Sequence, residues 1–303
     1  MHRAHRLGKA NHDSIYYQAW QSIIPLTDPK LNHRILTTLK HRVRQNVNKY
    51  RAGVLWNAKL AHRSGYAPTP ACPLCGGLDG GNHIAGGCGH EEMRRLYQEA
   101  HNTLGRIILK ATAKGSMGNN VVGADLGTAE KCRHDGAPVV KHRGIPPQLL
   151  PCPPKATIAE AKLHADKLSK LSRPDIFITS THPESGRRMA MIVDLKTCSD
   201  TQPSTQLEKC ITQHSLLANT LRGAGFADVR TLPILVGHSG TIYTQHTLMS
   251  LEALGIDKHK AEKCAIKLGT TACNLLDSII RTRRRLEFVT ATTKPCNRPP
   301  RPP

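Results

Sequence analysis

Two strings most constrain what this chain can fold into: Arg173-Pro174-Asp175 and Val193-Asp194-Leu195-Lys196. Each stands in an apolar run with the composition of a β-strand. Between them, His182-Pro183-Glu184-Ser185-Gly186 reads as a turn, so the pattern predicts adjacent strands over 175–180 and 188–195. Side chains alternate along a strand, so Asp194 and Lys196 project from one face. If the two strands pair as a hairpin, Asp175 comes within reach of the same face.

The surrounding chain alternates helix and strand. The spacing predicts helices over 158–171 and 204–222, the second closed by Gly223, and a buried strand over 231–236. A short strand at Thr241-Ile242-Tyr243 and helices over 245–254 and 258–285 follow. This is an α/β pattern. Residues 115–156 are rich in Gly and Pro, including Pro146-Pro147 and Pro151-Cys152-Pro153-Pro154, and read as a connection between two parts. Residues 297–303 read as a disordered proline-rich tail.

The first part is basic and helical. Asp28-Pro29 reads as an N-cap followed by proline at the first helical position. Leu31, Ile35, Leu39, Val43 and Val47 then recur every fourth residue, the apolar stripe of one helix. Arg34, Lys40, Arg42, Arg44, Lys49 and Arg51 occupy its other faces, and no acidic residue occurs from Leu31 to Cys75. A solvated face ordinarily mixes signs, so this one reads as a phosphate-facing surface. A second helical pattern runs from about Glu91 to Lys114.

Lys and Arg total 43 against 22 Asp and Glu, a net charge of +21. Such an excess points to a polyanionic partner, nucleic acid above all. Aromatic residues make up 4% of the chain, too few for a grip built mainly on base stacking. The basic N-terminus has no apolar core behind it and no stretch approaches the roughly 20 apolar residues of a membrane span, so neither a signal peptide nor a membrane is expected.

Cys72-x2-Cys75-x7-His83-x4-Cys88 supplies three thiolates and one imidazole, the donor set of a tetrahedral structural zinc site. Glycines at 76, 77, 80, 81, 86, 87 and 89 let the backbone fold closely around an ion. His90 is an alternate ligand. The other cysteines, from Cys132 to Cys296, show no ligand spacing; without a signal peptide, clustered cysteines bind metal more often than they pair.

The strand acids suggest a second metal. Two carboxylates can share one Mg²⁺, which takes oxygen ligands and lowers the pKa of bound water. Lys196 would orient that water or stabilise charge on phosphorus. Glu160, on the preceding helix, and Gln206, Lys209 and Gln213, a polar stripe on the following one, are further candidates for the metal shell or the scissile phosphate. Each is also read as ordinary solvated helix surface.

These residues together resemble the C-terminal part of site-specific non-LTR retrotransposon polyproteins, in which a CCHC zinc knuckle is followed by a PD-(D/E)xK nuclease. Here the knuckle is Cys72, Cys75, His83 and Cys88, and the nuclease residues are Asp175, Asp194 and Lys196. The family's Arg-His-Asn-like signature reads Ala100-His101-Asn102, departing at its arginine. The resemblance covers roughly Leu31 to Arg285, and the stretch before Cys72 is too short for a reverse transcriptase.

The resemblance implies a restriction-endonuclease-like mixed sheet flanked by helices, preceded by a mainly helical module with the knuckle. It implies a nucleic-acid-binding module over 1–114, a connection over 115–156, an endonuclease domain over 157–290 and a tail over 291–303. The expected activity is Mg²⁺-dependent nicking of DNA in the nucleus, with structural Zn²⁺ in the knuckle and retroelement RNA as a second partner. The alternative expectation is a non-catalytic DNA- or RNA-binding remnant.

Overall fold

The computed structural model describes residues 15–126, 145, 149, 157, 159–160, 163, 173–182 and 184–293. In chain order the helices are α1 (Ile15–Ile23), α2 (Pro29–Thr38), α3 (His41–Arg51), α4 (Ala58–Arg63), α5 (Glu91–Ala113), α6 (Pro203–Gly223), α7 (Ser250–Ala253) and α8 (Lys258–Thr293). The strands are β1 (Val121–Ala124), β2 (Ile176–Thr181), β3 (Arg188–Cys198) and β4 (Asp228–Gly237). The expected helix over 158–171 lies mostly outside the described residues, as do Cys132, Cys152, Cys296 and the tail over 297–303. Two compact units divide the chain: Met1–Leu39 with Glu99–Ala272, and Lys40–Gln98 with Cys273–Pro303.

The first unit is built on a four-stranded mixed sheet in the order β1-β2-β3-β4. β1 pairs antiparallel with β2, and β2 antiparallel with β3, so the expected hairpin is present. β4 lies parallel to β3. Parallel neighbours need a crossover connection, and α6 supplies it. Phe177, Ala190 and Ile192 from the sheet pack with Leu217, Ala218 and Leu221 of α6. The alternate residues Met191, Val193 and Leu195 are buried as well, so the central strand is covered on both faces.

The ends of the sheet are tied by a buried acid. Asp200 accepts the Ser239 backbone N–H at 3.1 Å, the Ser239 hydroxyl at 2.7 Å and the Thr241 hydroxyl at 2.5 Å. Gly237 at the end of β4 has to be glycine, because a Cβ there would clash with the Asp200 carboxylate. The segment Thr241-Ile242-Tyr243, expected as a short strand, instead makes isolated bridges, Val236 with Ile242 and Thr27 with Tyr243. The helix expected over 245–254 is a π turn, Thr244–Met249, running into α7.

Two further expectations are corrected. β1 lies within the stretch read as an irregular connection. It is four residues long, contains Gly123 and shifts register between Val121 and Gly123, which leaves it almost no periodic signal. The single stripe from Leu31 to Val47 is split between α2 and α3, with Leu39 and Lys40 extended. All five stripe residues are buried nonetheless. Thr37 and Thr38 explain the stop: their hydroxyls donate to the carbonyls of Arg34 and Ile35 at 2.8 and 2.7 Å, a local alternative to continuing the helix. The N-cap is as expected, with the Asp28 side chain accepting from the Leu31 N–H.

The second unit is helical around the Cys/His segment. Val43, Val47, Tyr50, Leu55, Ile84 and Met93 are buried in it. Beneath them Arg283 donates to Asp79 at 2.7 Å and to Glu287 at 2.7 Å, and the Ala58 N–H donates to the same Asp79 oxygen. Asn46 donates to Asp277 at 2.6 Å. Among the described residues no helix is long and apolar enough to cross a membrane.

Candidate functional site

In the first unit the β2–β3 register pairs Ile176 with Val193 and Phe177 with Ile192. One step beyond, Asp175 falls opposite Asp194. By strand alternation Asp175 and Phe177 share a face with Ile192, Asp194 and Lys196, and Phe177 and Ile192 pack against α6. The face that buries the hydrophobic core therefore also carries both acids and the lysine, at the end of the hairpin away from its turn.

Asp194 is nearly fully buried, at 2% exposure. Its Oδ2 lies 2.8 Å from Lys196 Nζ and its Oδ1 lies 3.3 Å from His214 Nε2. Burial works to raise its pKa, yet the His214 hydrogen bond and the Lys196 charge outweigh that and hold the carboxyl below its ordinary value. Lys196 also donates to Gln213 Oε1 at 3.0 Å. Asp175 Oδ2 accepts the Leu195 N–H at 2.6 Å and lies 3.2 Å from His101 Nε2. The same imidazole nitrogen lies 3.0 Å from the Leu195 carbonyl oxygen. Burial of His101 lowers its pKa, but Asp175 and the Leu195 carbonyl more than offset this and leave it raised.

The structure thus brings Asp175, Asp194, Lys196 and Gln213 together. Glu160 has no described contact with the two aspartates: it is exposed and forms a capping box, accepting the Thr157 N–H and hydroxyl at 2.8 Å each. Lys209 is exposed and Gln206 half-buried, and neither has a described contact with the two aspartates. His101 was noted only within the signature Ala100-His101-Asn102, with no role at this site, and two side chains were missed: Cys210 and His214. Cys210 and His214 continue the buried face of α6 that holds Leu217 and Leu221. That four-three-four spacing was legible, and it sets the inward face one position from the polar stripe chosen at Gln206 and Lys209.

In the second unit Cys72, Cys75, His83 and Cys88 form a cluster that could hold a metal ion, with one ligand atom from each and all within 4.8 Å of one another. The Cys72 N–H donates to Gly77 O at 2.7 Å and the Gly76 N–H to Cys72 O at 2.9 Å, closing the tight turn that the C-x2-C spacing calls for. Gly76 takes a φ of +73°, which a side chain would strain. Cys72 and Cys88 sulfurs are 3.9 Å apart, and Cys75 Sγ is 3.4 Å from His83 Nε2. A tetrahedron with metal–sulfur bonds of about 2.3 Å has edges of ~3.8 Å, so these donors already stand at ligand spacing.

The electrostatics of His83 and Cys75 suit ligation. Burial, with Asp79 opposing and Arg283 assisting, lowers the His83 pKa and favours the neutral imidazole that binds metals. The slight burial of Cys75 acts to raise its pKa, but hydrogen bonds from Gly77, Gly89 and the neighbouring thiols prevail and lower it. Burial pushes Cys88 up to about 12, so without an ion it stays a thiol. His90, the alternate ligand, is outside the cluster and acts through its backbone, which hydrogen-bonds Cys88. Tyr97 holds the segment from behind, donating to Ile84 O at 2.8 Å.

The basic residues of the expected phosphate-facing surface are exposed at Arg34, Lys40, Arg42, Arg44 and Lys49, and half-buried at Arg51. Arg34 lies on α2 in the first unit and the other five in the second. Arg42 has an acidic partner, Asp277, at 3.8 Å. Set beside known proteins, the chain matches no family model and no curated protein.

Proposed function

We propose that this chain is a metal-dependent endonuclease that nicks DNA, with Asp175, Asp194 and Lys196 at its centre. One observation carries the reading: the hairpin register sets two aspartates opposite each other on one face, with a lysine ammonium 2.8 Å from one of them. The two carboxylates suit a hard cation, Mg²⁺, which when bound polarises a phosphate and acidifies a water. Lys196 stands where it can stabilise charge developing on the phosphate oxygens. A mixed sheet with an antiparallel hairpin and a parallel fourth strand reached through α6 supports a restriction-endonuclease-like fold, and with it the retroelement resemblance.

In the same reading Cys72, Cys75, His83 and Cys88 hold a structural zinc, because four protein donors leave no open coordination position. The exposed basic residues of α3 hold DNA through its phosphates, and retroelement RNA is a second polyanion that fits them. A nuclear location follows from a duplex DNA substrate.

A second reading, a nucleic-acid-binding chain that does not cut, is favoured by one observation: both carboxylates already have protein partners, His101 and Leu195 on Asp175, Lys196 and His214 on Asp194. A nicking assay on supercoiled DNA separates the two. Nicking that requires Mg²⁺ and vanishes in Asp194→Ala, with DNA binding retained, supports the enzyme. Cutting that survives Asp194→Ala sinks the assignment, and binding without any cutting selects the second reading.

A further inference from the structure

A second set of metal donors converges in the first unit. Asp194, Cys210 and His214 each offer one ligand atom, and these atoms all lie within 4.8 Å of one another. The three residues are 2%, 0% and 0% exposed. Cys210 and His214 are four apart on α6 and so share a face of the helix, the face turned to the sheet that carries Asp194. We propose that Asp194, Cys210 and His214 bind one thiophilic divalent ion of the zinc class, distinct from the ion of the knuckle.

The donor set argues for that class. A cysteine sulfur is a soft ligand that Mg²⁺ and Ca²⁺ do not take, whereas a sulfur, imidazole and carboxylate together suit zinc and its neighbours. The spacing agrees: Asp194 Oδ1 lies 3.3 Å from His214 Nε2, the edge of a tetrahedron whose bonds are about 2.0 Å. A histidine–aspartate hydrogen bond alone accounts for that edge but gives Cys210 no task, although its thiol is turned to the same carboxylate. Three protein donors leave one corner for a water or a phosphate oxygen. The other carboxylate oxygen stays with Lys196 at 2.8 Å, so ion and ammonium sit on opposite oxygens of one aspartate. The inference rests on the nuclease reading and deepens it: Asp194 stays a ligand at the centre, but to a thiophilic ion that takes the place of Mg²⁺ on that carboxylate.

The test is metal content, which needs no cleavage. The purified full chain, equilibrated with zinc and desalted, should carry two zinc ions per chain by elemental analysis. Cys210→Ser and His214→Ala should each carry one, and His214→Cys, which keeps a soft donor, should carry two. One ion per wild-type chain that is unchanged in Cys210→Ser would overturn the proposal, as would two ions retained in both Cys210→Ser and His214→Ala. Should these variants lose their helical circular dichroism, the wild-type chain loaded with cadmium-113 decides by nuclear magnetic resonance. Two resonances are expected, one from a three-sulfur site and one from a one-sulfur site; a lone three-sulfur resonance overturns the site. A chain with two ions that does not nick DNA keeps this site and loses the nuclease reading, and a chain that nicks with one ion does the reverse.

Discussion

His101 Nε2 lies 3.2 Å from Asp175 Oδ2 and 3.0 Å from the carbonyl oxygen of Leu195. The imidazole therefore bridges two oxygens, one the Asp175 carboxylate and one a backbone carbonyl. A cation binding at Asp175 Oδ2 competes with it for that oxygen. A hydrogen bond to a charged group is worth about 1.5 kcal/mol or more, which is roughly tenfold in an equilibrium constant. His101→Ala is expected to lower the Mg²⁺ concentration for half-maximal nicking about tenfold, read by titrating the metal at fixed DNA. An unchanged or higher requirement would show that the histidine assists the metal rather than competing with it.

Lys196 is tied to Asp194 Oδ2 and to Gln213 Oε1. Its ammonium is the cation on the site face that the fold brings to the acids. Removing one group that stabilises transition-state charge costs about 10²–10³ in rate. Lys196→Ala is expected to lower the single-turnover nicking rate by that factor while DNA affinity changes less than about threefold, because one phosphate contact contributes little to a multi-contact complex. A parallel loss of affinity and rate would place the lysine in binding instead.

The hairpin was legible because two apolar runs of β composition flank the turn at 182–186, and in a hairpin the turn sets the register. The Cys/His cluster was legible because a C-x2-C turn is a local device closed by its own backbone hydrogen bonds. What escaped came from contacts distant in the chain. Nothing around His101 signals that α5 delivers it to Asp175, far along the sequence. His214 reads as polar in sequence yet is fully buried, since its partner Asp194 lies on a strand. β1 escaped for another reason: an edge strand of four residues with a glycine has too little pattern to separate it from a loop.

DNA binding should weaken with salt as phosphate contacts release counterions. Arg44 and Lys49 on α3 are exposed. Each lost contact reduces the magnitude of the slope of log affinity against log salt by about 0.9. Arg44→Ala and Lys49→Ala are each expected to do this, and the double variant to do it about twice over, measured by fluorescence anisotropy from low to moderate salt. A slope unchanged in the double variant would remove α3 from the interface.

The Asp79–Arg283 pair bears on folding rather than chemistry. Both side chains are buried, at 2% exposure each, and Asp79 also accepts the Ala58 N–H at 2.7 Å. The pair lies near the Cys/His cluster, for its charges act on His83 in opposite senses. Deleting one partner leaves an uncompensated buried charge, which costs about 3–5 kcal/mol, whereas replacing both with apolar residues of similar volume is close to neutral. Asp79→Leu is therefore expected to lower the urea midpoint sharply. Asp79→Leu combined with Arg283→Met is expected to recover most of that loss, although Glu287 gives up its 2.7 Å partner. Equal destabilisation by the single and double variants would show that the hydrogen bonds to Ala58 and Glu287, rather than the ion pair, hold this part of the chain.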